Sequence, residues 1–211
     1  MLNRLFSTIK RGSRKIGEGG YTLIEVAAVV AITATLAAVV IPVAMDKIAA
    51  GRTTGALEDC KYIGTAIASF YRDTEAWPAR RGATADYYTV LRSGESDSTD
   101  PADVTTKWAL LTTSDLLHNH LVIDNPGGTP AYLANYVYWR GPYIEKIENK
   151  TDPWGKNYVV WVKGMHTGGT QAYPEFGWII SAGPNRRLDT KPTNSDLQGD
   201  DIGMMLYSEP H

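Results

Sequence analysis

The chain has 211 residues, 43% of them hydrophobic and 21% charged, which leaves room for one ordinary domain and a short appendage but not for two full-sized domains. Twenty-one basic against twenty-three acidic side chains give a net charge of −2, which excludes a generic nucleic-acid binder. The single cysteine, Cys60, excludes both an internal disulfide framework and a cysteine-based zinc cage.

Charge and hydropathy are uneven at the N-terminus. Residues 1–20 hold Arg4, Lys10, Arg11, Arg14 and Lys15 against Glu18 alone, a net +4, so the other 191 residues, with 16 bases and 22 acids, carry −6. Val26–Met45 then runs for twenty residues without a formal charge. At about 1.5 Å per residue such a helix is about 30 Å long, the thickness of a bilayer's hydrocarbon core. The basic flank predicts a cytoplasmic N-terminus and an acidic bulk on the far side. A secretory signal carries its small-residue cleavage site after the apolar run. Here Gly19-Gly20 comes before it, so a cut after Gly20 removes the leader and keeps the helix.

The ordered set of basic leader, Gly20, Tyr21-Thr22-Leu23-Ile24-Glu25-Val26 and a long apolar helix with an internal proline resembles the N-terminus of type IV pilins and type II secretion pseudopilins. The resemblance implies cleavage after Gly20 by a membrane prepilin peptidase and N-methylation of Tyr21, a tyrosine where that family more usually has phenylalanine.

Glu25 is the one ionisable side chain among lipid-compatible neighbours, and a charge at the bilayer centre costs about 2.5–3.5 kcal/mol on insertion scales. At the interface it would simply snorkel. With the leader removed, however, Tyr21 bears a cationic amine, about 6 Å along the helix axis from the carboxylate. A neighbouring helix shifted by a fixed stagger then pairs its amine with Glu25, and the expense of leaving either charge unpaired in apolar surroundings selects one register. Glu25 is therefore assigned to subunit register in a helical filament. Pro42 removes one helix hydrogen bond and kinks the span. In filaments of the resembled families the helix loosens near such a proline.

Leu57, Cys60, Ile63, Ile67 and Phe70 recur at helical spacing, with Glu58, Asp59, Lys61 and Arg72 off the stripe. One helix is thus expected over 21–75, apolar all round in its first half and amphipathic in its second, stopping before Trp77-Pro78. Cys60 falls on the stripe as an inert core residue.

Residues 76–211 are expected to form an extracytoplasmic head. Ser93–Thr106 reads as a solvated loop, and Asn125-Pro126-Gly127-Gly128 as a turn. Trp108–Val122 reads as a short helix followed by a strand. Val159–Lys163, Phe176–Ser181 and Ile202–Tyr207 read as strands. A long helix followed by short strands predicts an α+β fold with an antiparallel sheet, pilin-like by the resemblance. Trp139-Arg140-Gly141-Pro142-Tyr143 and Asp152-Pro153-Trp154-Gly155 look like the W-x-GPY and DPWG segments of major pseudopilins. Their glycines and prolines set turns, and their aromatic rings supply apolar faces to pack on the helix.

Residues 181–202, polar and poor in core formers, need ordering from outside, and carboxylates with backbone carbonyls suit calcium. The stretch resembles the pseudopilin calcium loop through Ser181, Gly183 and Asp200-Asp201-Ile202. It departs at Asn185-Arg186, which stand where Asp-Gly is usual, and Asp189 or Asp196 can replace the missing charge. The candidate calcium ligands are Ser181, Asn185, Asp189, Asp200 and Asp201. Arg186 and Arg187 oppose a cation, which keeps a loop stapled by arginine and aspartate as the alternative.

His118-Asn119-His120 spells a nuclease name without the required fold, and no third zinc ligand accompanies the two histidines, so surface or turn placement is expected. Arg80-Arg81 and Arg186-Arg187 read as solvated charge. Asn149-Lys150-Thr151 is a formal glycosylation sequon that says little by itself. The chain offers no phosphate loop or nucleophile elbow, so a non-enzymatic structural subunit is expected. By the resemblance this is a type II secretion pseudopilus subunit, drawn from the bacterial inner membrane into a periplasmic or cell-surface filament. Its implied partners are copies of itself, minor pilins or pseudopilins, the peptidase, membrane lipid, and an assembly platform driven by a cytoplasmic ATPase. A type IV pilus pilin is the alternative, serving adhesion, motility or DNA uptake; a membrane-tethered periplasmic binding module or enzyme is the rival from another class.

Overall fold

The structure, a computed structural model, describes residues 20–79, 88–95, 97–108, 114–125, 138–145, 147, 150–165 and 176–207. The chain divides into two compact units, Met1–Asp46 and Lys47–His211. That boundary falls one residue past the uncharged run Val26–Met45.

Helix α1 (Leu23–Thr74) begins in the first unit, directly after Thr22, and continues as α-helix through Pro42 and on into the residues of the second. Its apolar side chains from Leu23 to Ile48 stand exposed, Val39 at 70% and Met45 at 64%. The two hydroxyls in the run are satisfied locally: Thr33 Oγ1 donates to the carbonyl of Val29 at 2.9 Å, and Thr35 Oγ1 to that of Ile32 at 2.8 Å. Such back-bonding lets threonine enter an apolar environment without stranding a donor. By length and composition α1 is capable of crossing a membrane.

The second unit is built on a five-stranded sheet: β1 (Val90–Arg92), β2 (Ser114–Leu116), β3 (Val159–Trp161), β4 (Phe176–Ser181) and β5 (Ile202–Tyr207), in the order β2-β1-β3-β4-β5. Two short helices accompany it, α2 (Val104–Trp108) and α3 (Leu117–Leu121). The three strands predicted late in the chain are present, β3 ending at Trp161 because Lys163–Met165 turns into a 3-10 helix. The antiparallel sheet expected is in fact mixed, since β2 runs parallel to β1 while β1–β3, β3–β4 and β4–β5 are antiparallel. Together with α1 this is an α+β layout.

Alternation along the strands explains the core. Leu91, Val160 and Ile179 face a cluster with Cys60, Ile63, Ala66, Ile67 and Phe70 of α1. Their neighbours Val90, Val159, Trp161, Trp178 and Ile180 face the other way, into a second cluster with Val104, Trp108, Ala182 and Leu188. The predicted stripe is thus buried from Cys60 to Phe70, with Leu57 only half-buried. Both faces of the sheet are covered, which is why β3 and β4 read as nearly continuous apolar runs.

Two expectations change here. The stretch 114–121 is strand then helix, the reverse of the predicted order, because Trp108 ends α2 rather than starting a helix. The segment from Ser93 to Thr106 is not a free loop. Ser93 and Asp100 are buried, and Asp100 accepts from Arg92 Nη1 at 2.8 Å and from Asn157 Nδ2 at 2.7 Å. The Pro126-Gly127-Gly128 part of the predicted turn, Arg80-Arg81 and Asn149 lie outside the described residues.

Candidate functional site

Two places carry the polar chemistry singled out in the sequence, one in each unit. The first is the start of α1. Tyr21 is 87% exposed. Glu25 folds back on the helix start: its Oε2 accepts from the backbone N of Thr22 at 2.8 Å and from Thr22 Oγ1 at 2.7 Å. In return Thr22 Oγ1 accepts from the N–H of Glu25 at 3.3 Å. This is a reciprocal capping box, in which a threonine and a glutamate three residues later satisfy each other's backbone donors. Sequence reasoning centred on the charge of Glu25 misses Thr22, although Thr-x-x-Glu before an apolar run is a signature legible without coordinates. Pro42 lies seventeen positions beyond Glu25 on the same helix, exposed like its neighbours.

The second place is the loop joining β4 to β5. Asp189, Asp200 and Asp201 bring one carboxylate oxygen each to within 4.8 Å of one another. Backbone geometry gathers them. Asp201 Oδ2 accepts from the N–H of Asp189 at 2.9 Å and of Thr190 at 2.7 Å, while Asp200 Oδ2 accepts from the N–H of Asn185 at 2.8 Å. Gly199 sits at φ +64°, and a Cβ there would lie 2.1 Å from Asp189 Oδ2, so only glycine lets the chain pass that close. Burial pushes the Asp201 carboxyl above its ordinary range, against the opposing pull of the Thr190 and Asp189 N–H groups.

The remaining predicted ligands are placed differently. Ser181 Oγ donates to Asp152 Oδ2 at 2.6 Å and accepts from the N–H of Gly183. Asn185 accepts from the N–H of Arg187 and donates to Asp189 Oδ2 at 2.8 Å, so it braces the cluster from its side. Asp196 is exposed and accepts from the Ser195 hydroxyl. Arg187 turns to Asp103, Nη2 to Oδ2 at 2.6 Å, and holds that carboxyl below the usual aspartate range. The arginine–aspartate staple expected as an alternative therefore exists, but on Asp103.

The three carboxylates fit a cation. Oδ1 of Asp200 and Oδ1 of Asp201 are buried without a hydrogen-bond partner, and such orphaned acceptors in a low-dielectric site favour an added positive charge. Oxygen-only donors suit a hard divalent ion over a thiophilic one.

The DPWG segment serves the scaffold of this loop. Asp152, 3% exposed, takes the N–H of Trp154 at 3.0 Å and of Lys156 at 2.8 Å on Oδ1, and the Ser181 hydroxyl on Oδ2. It thus ties its own turn to the end of β4. In the W-x-GPY segment Tyr143 meets Phe70 of α1 edge-on at 5.5 Å and Trp139 at 5.8 Å, the packing on the helix that the sequence predicts. One placement is corrected: His120 is not at the surface but fully buried, with Nε2 2.9 Å from Asp115 Oδ2.

No known protein family, no curated protein and no solved structure matches this chain. The class its own features define is an α+β protein carrying one long apolar helix near its N-terminus.

Proposed function

We propose that this chain is a pilin-like structural subunit, stored in a membrane through the first half of α1 and assembled into a helical filament, with the type II secretion pseudopilus as the system it suits best. The observation that carries the reading is the start of α1: a single carboxylate, Glu25, beside the uncharged and exposed run Val26–Met45, five residues past the cleavage glycine. A plain membrane tether needs neither feature. Before assembly Thr22 satisfies Glu25 within the chain; on assembly the carboxylate exchanges that partner for the methylated amine of Tyr21 on a neighbouring copy. The apolar helix passes from lipid into a bundle of like helices, and Pro42 loosens it where the bundle is tightest. Calcium on Asp189, Asp200 and Asp201 orders the loop after β4.

The test is the intact mass of the protein from its native membrane, together with Glu25→Leu. Material beginning at Tyr21 and bearing one extra methyl group is expected. The Glu25→Leu chain is expected to be cut and membrane-bound yet to yield no fibres by electron microscopy. Protein still beginning at Met1, or ordinary fibres from Glu25→Leu, sinks the reading. Retraction-ATPase genes beside this one, in place of secretin and secretion-ATPase genes, would move the assignment to a type IV pilus.

A further inference from the structure

The three carboxylates of the β4–β5 loop leave Oδ1 of Asp200 and Oδ1 of Asp201 buried and unpartnered, and Asp201 is only 7% exposed. A positive charge already stands beside them. Lys107, in the last turn of α2, lies with Nζ 3.9 Å from Asp189 Oδ1 and donates a hydrogen bond to the carbonyl of Leu188.

The position of this lysine is built rather than incidental. Its neighbour Trp108 is fully buried and donates from Nε1 to the carbonyl of Thr190 at 2.8 Å. The N–H of Leu188 donates to the carbonyl of Ala102 at 3.0 Å, and Arg187 clamps Asp103 just before α2. These ties hold α2 against the loop on both sides of Lys107 and so keep its ammonium within reach of Asp189. Arg187 gives its hydrogen bonds to Asp103, with Asp189 adding a weaker electrostatic pull, so Lys107 is the cation with its ammonium nearest the acidic group among the described residues.

We propose that Lys107 is a tethered cation that shares Asp189 with a divalent metal ion and competes with it, a role that rests on the proposed cation site in this loop. Without the ion, the ammonium offsets part of the mutual repulsion of three carboxylates and keeps the loop closed. With the ion bound, Asp189 must serve both charges, so Lys107 weakens metal binding. α2 thereby sets how far the loop depends on the metal.

The experiment uses the full chain in detergent micelles, stripped with chelator and titrated with calcium, magnesium serving as the control ion. Tryptophan fluorescence reports thermal unfolding. The variants are Lys107→Met, Lys107→Gln (which keeps a donor for the Leu188 carbonyl), Lys107→Arg and Asp201→Asn. Removing the charge is expected to lower the melting temperature in chelator and to reduce the half-saturating calcium concentration about fivefold, whereas Lys107→Arg stays near the parent. Asp201→Asn is expected to abolish the calcium response. A response seen only in the neutral variants would mean that the ammonium fills the site in the parent, which supports the proposal. Equal half-saturation in the parent and in both neutral variants would overturn the competition while leaving the metal site standing. No calcium response in any chain would remove the site itself, and the proposal with it.

Discussion

Asp124 illustrates how much a single position can cost. It is buried, its backbone is held at φ +48°, and its Oδ1 has no hydrogen-bond partner. Burial raises its carboxyl above the ordinary value, with the nearby His120 pulling the other way. A raised carboxyl binds its proton more tightly in the folded chain than in the unfolded one. Its contribution therefore favours folding at acid pH and is lost as the pH climbs through the raised value. Asp124→Asn, which tolerates the left-handed backbone, is expected to stabilise the protein at pH 7 by up to about 1 kcal/mol and to have little effect near pH 4. Unfolding curves at both pH values check the sign; equal shifts at the two would show that the carboxyl's ionisation is not involved. His120, its neighbour, could not have been placed from the sequence. A histidine in a polar tripeptide carries no periodicity, and only the fold sets it beside Tyr88, the rings 5.7 Å apart and edge-on.

At the scale of elements, α1 couples sequence to packing most directly. Its second half was legible because the apolar spacing follows the helical period and the charged residues keep off the stripe. Ile63, Ile67 and Phe70 each lie at 1% exposure or less, and burial of such side chains is worth about 1.5–3 kcal/mol apiece. Ile67→Ala is expected to cost about 2–5 kcal/mol in urea unfolding, the lost transfer energy plus the cavity left behind. Leader cleavage should be untouched, since the cut lies in the other unit. Polar ties supplement the stripe: Tyr158 donates to Asp59 Oδ2 at 2.7 Å, and Lys150 pairs with the other oxygen of that carboxylate. The short elements were the poorly legible ones. β1 and β2 are three residues each, too brief to show alternation, and their parallel pairing depends on the chain between them. α2 hides in a run rich in Ser, Thr and Asp, where turn-forming residues outweigh its two buried anchors, Val104 and Trp108.

For the whole molecule, the division at Asp46 is the decisive fact. Every buried hydrophobic residue among those described lies between Ala56 and Leu188, inside the second unit. A chain beginning at Lys47 is therefore expected to fold and remain monomeric in water without detergent. Circular dichroism and size-exclusion chromatography check this, and aggregation of the shortened chain would show that residues before Lys47 contribute to the core. Among the described residues before Lys47 none is buried: an apolar helix with exposed side chains must be covered by lipid or by other helices.

The features of the N-terminus are determined by sequence alone. The basic leader, the glycine before the apolar run, the uncharged twenty residues and the isolated Glu25 are contiguous, and local chemistry needs no fold to bring neighbours together. The acidic loop belongs to the other kind. Asp189 and Asp200 are eleven positions apart, Lys107 comes from a helix some eighty residues earlier, and Ser181 is claimed by Asp152 from a turn before β3. Which charge meets which carboxylate depends on chain segments brought together by burial of both sheet faces, and that convergence exists only once the sheet has formed.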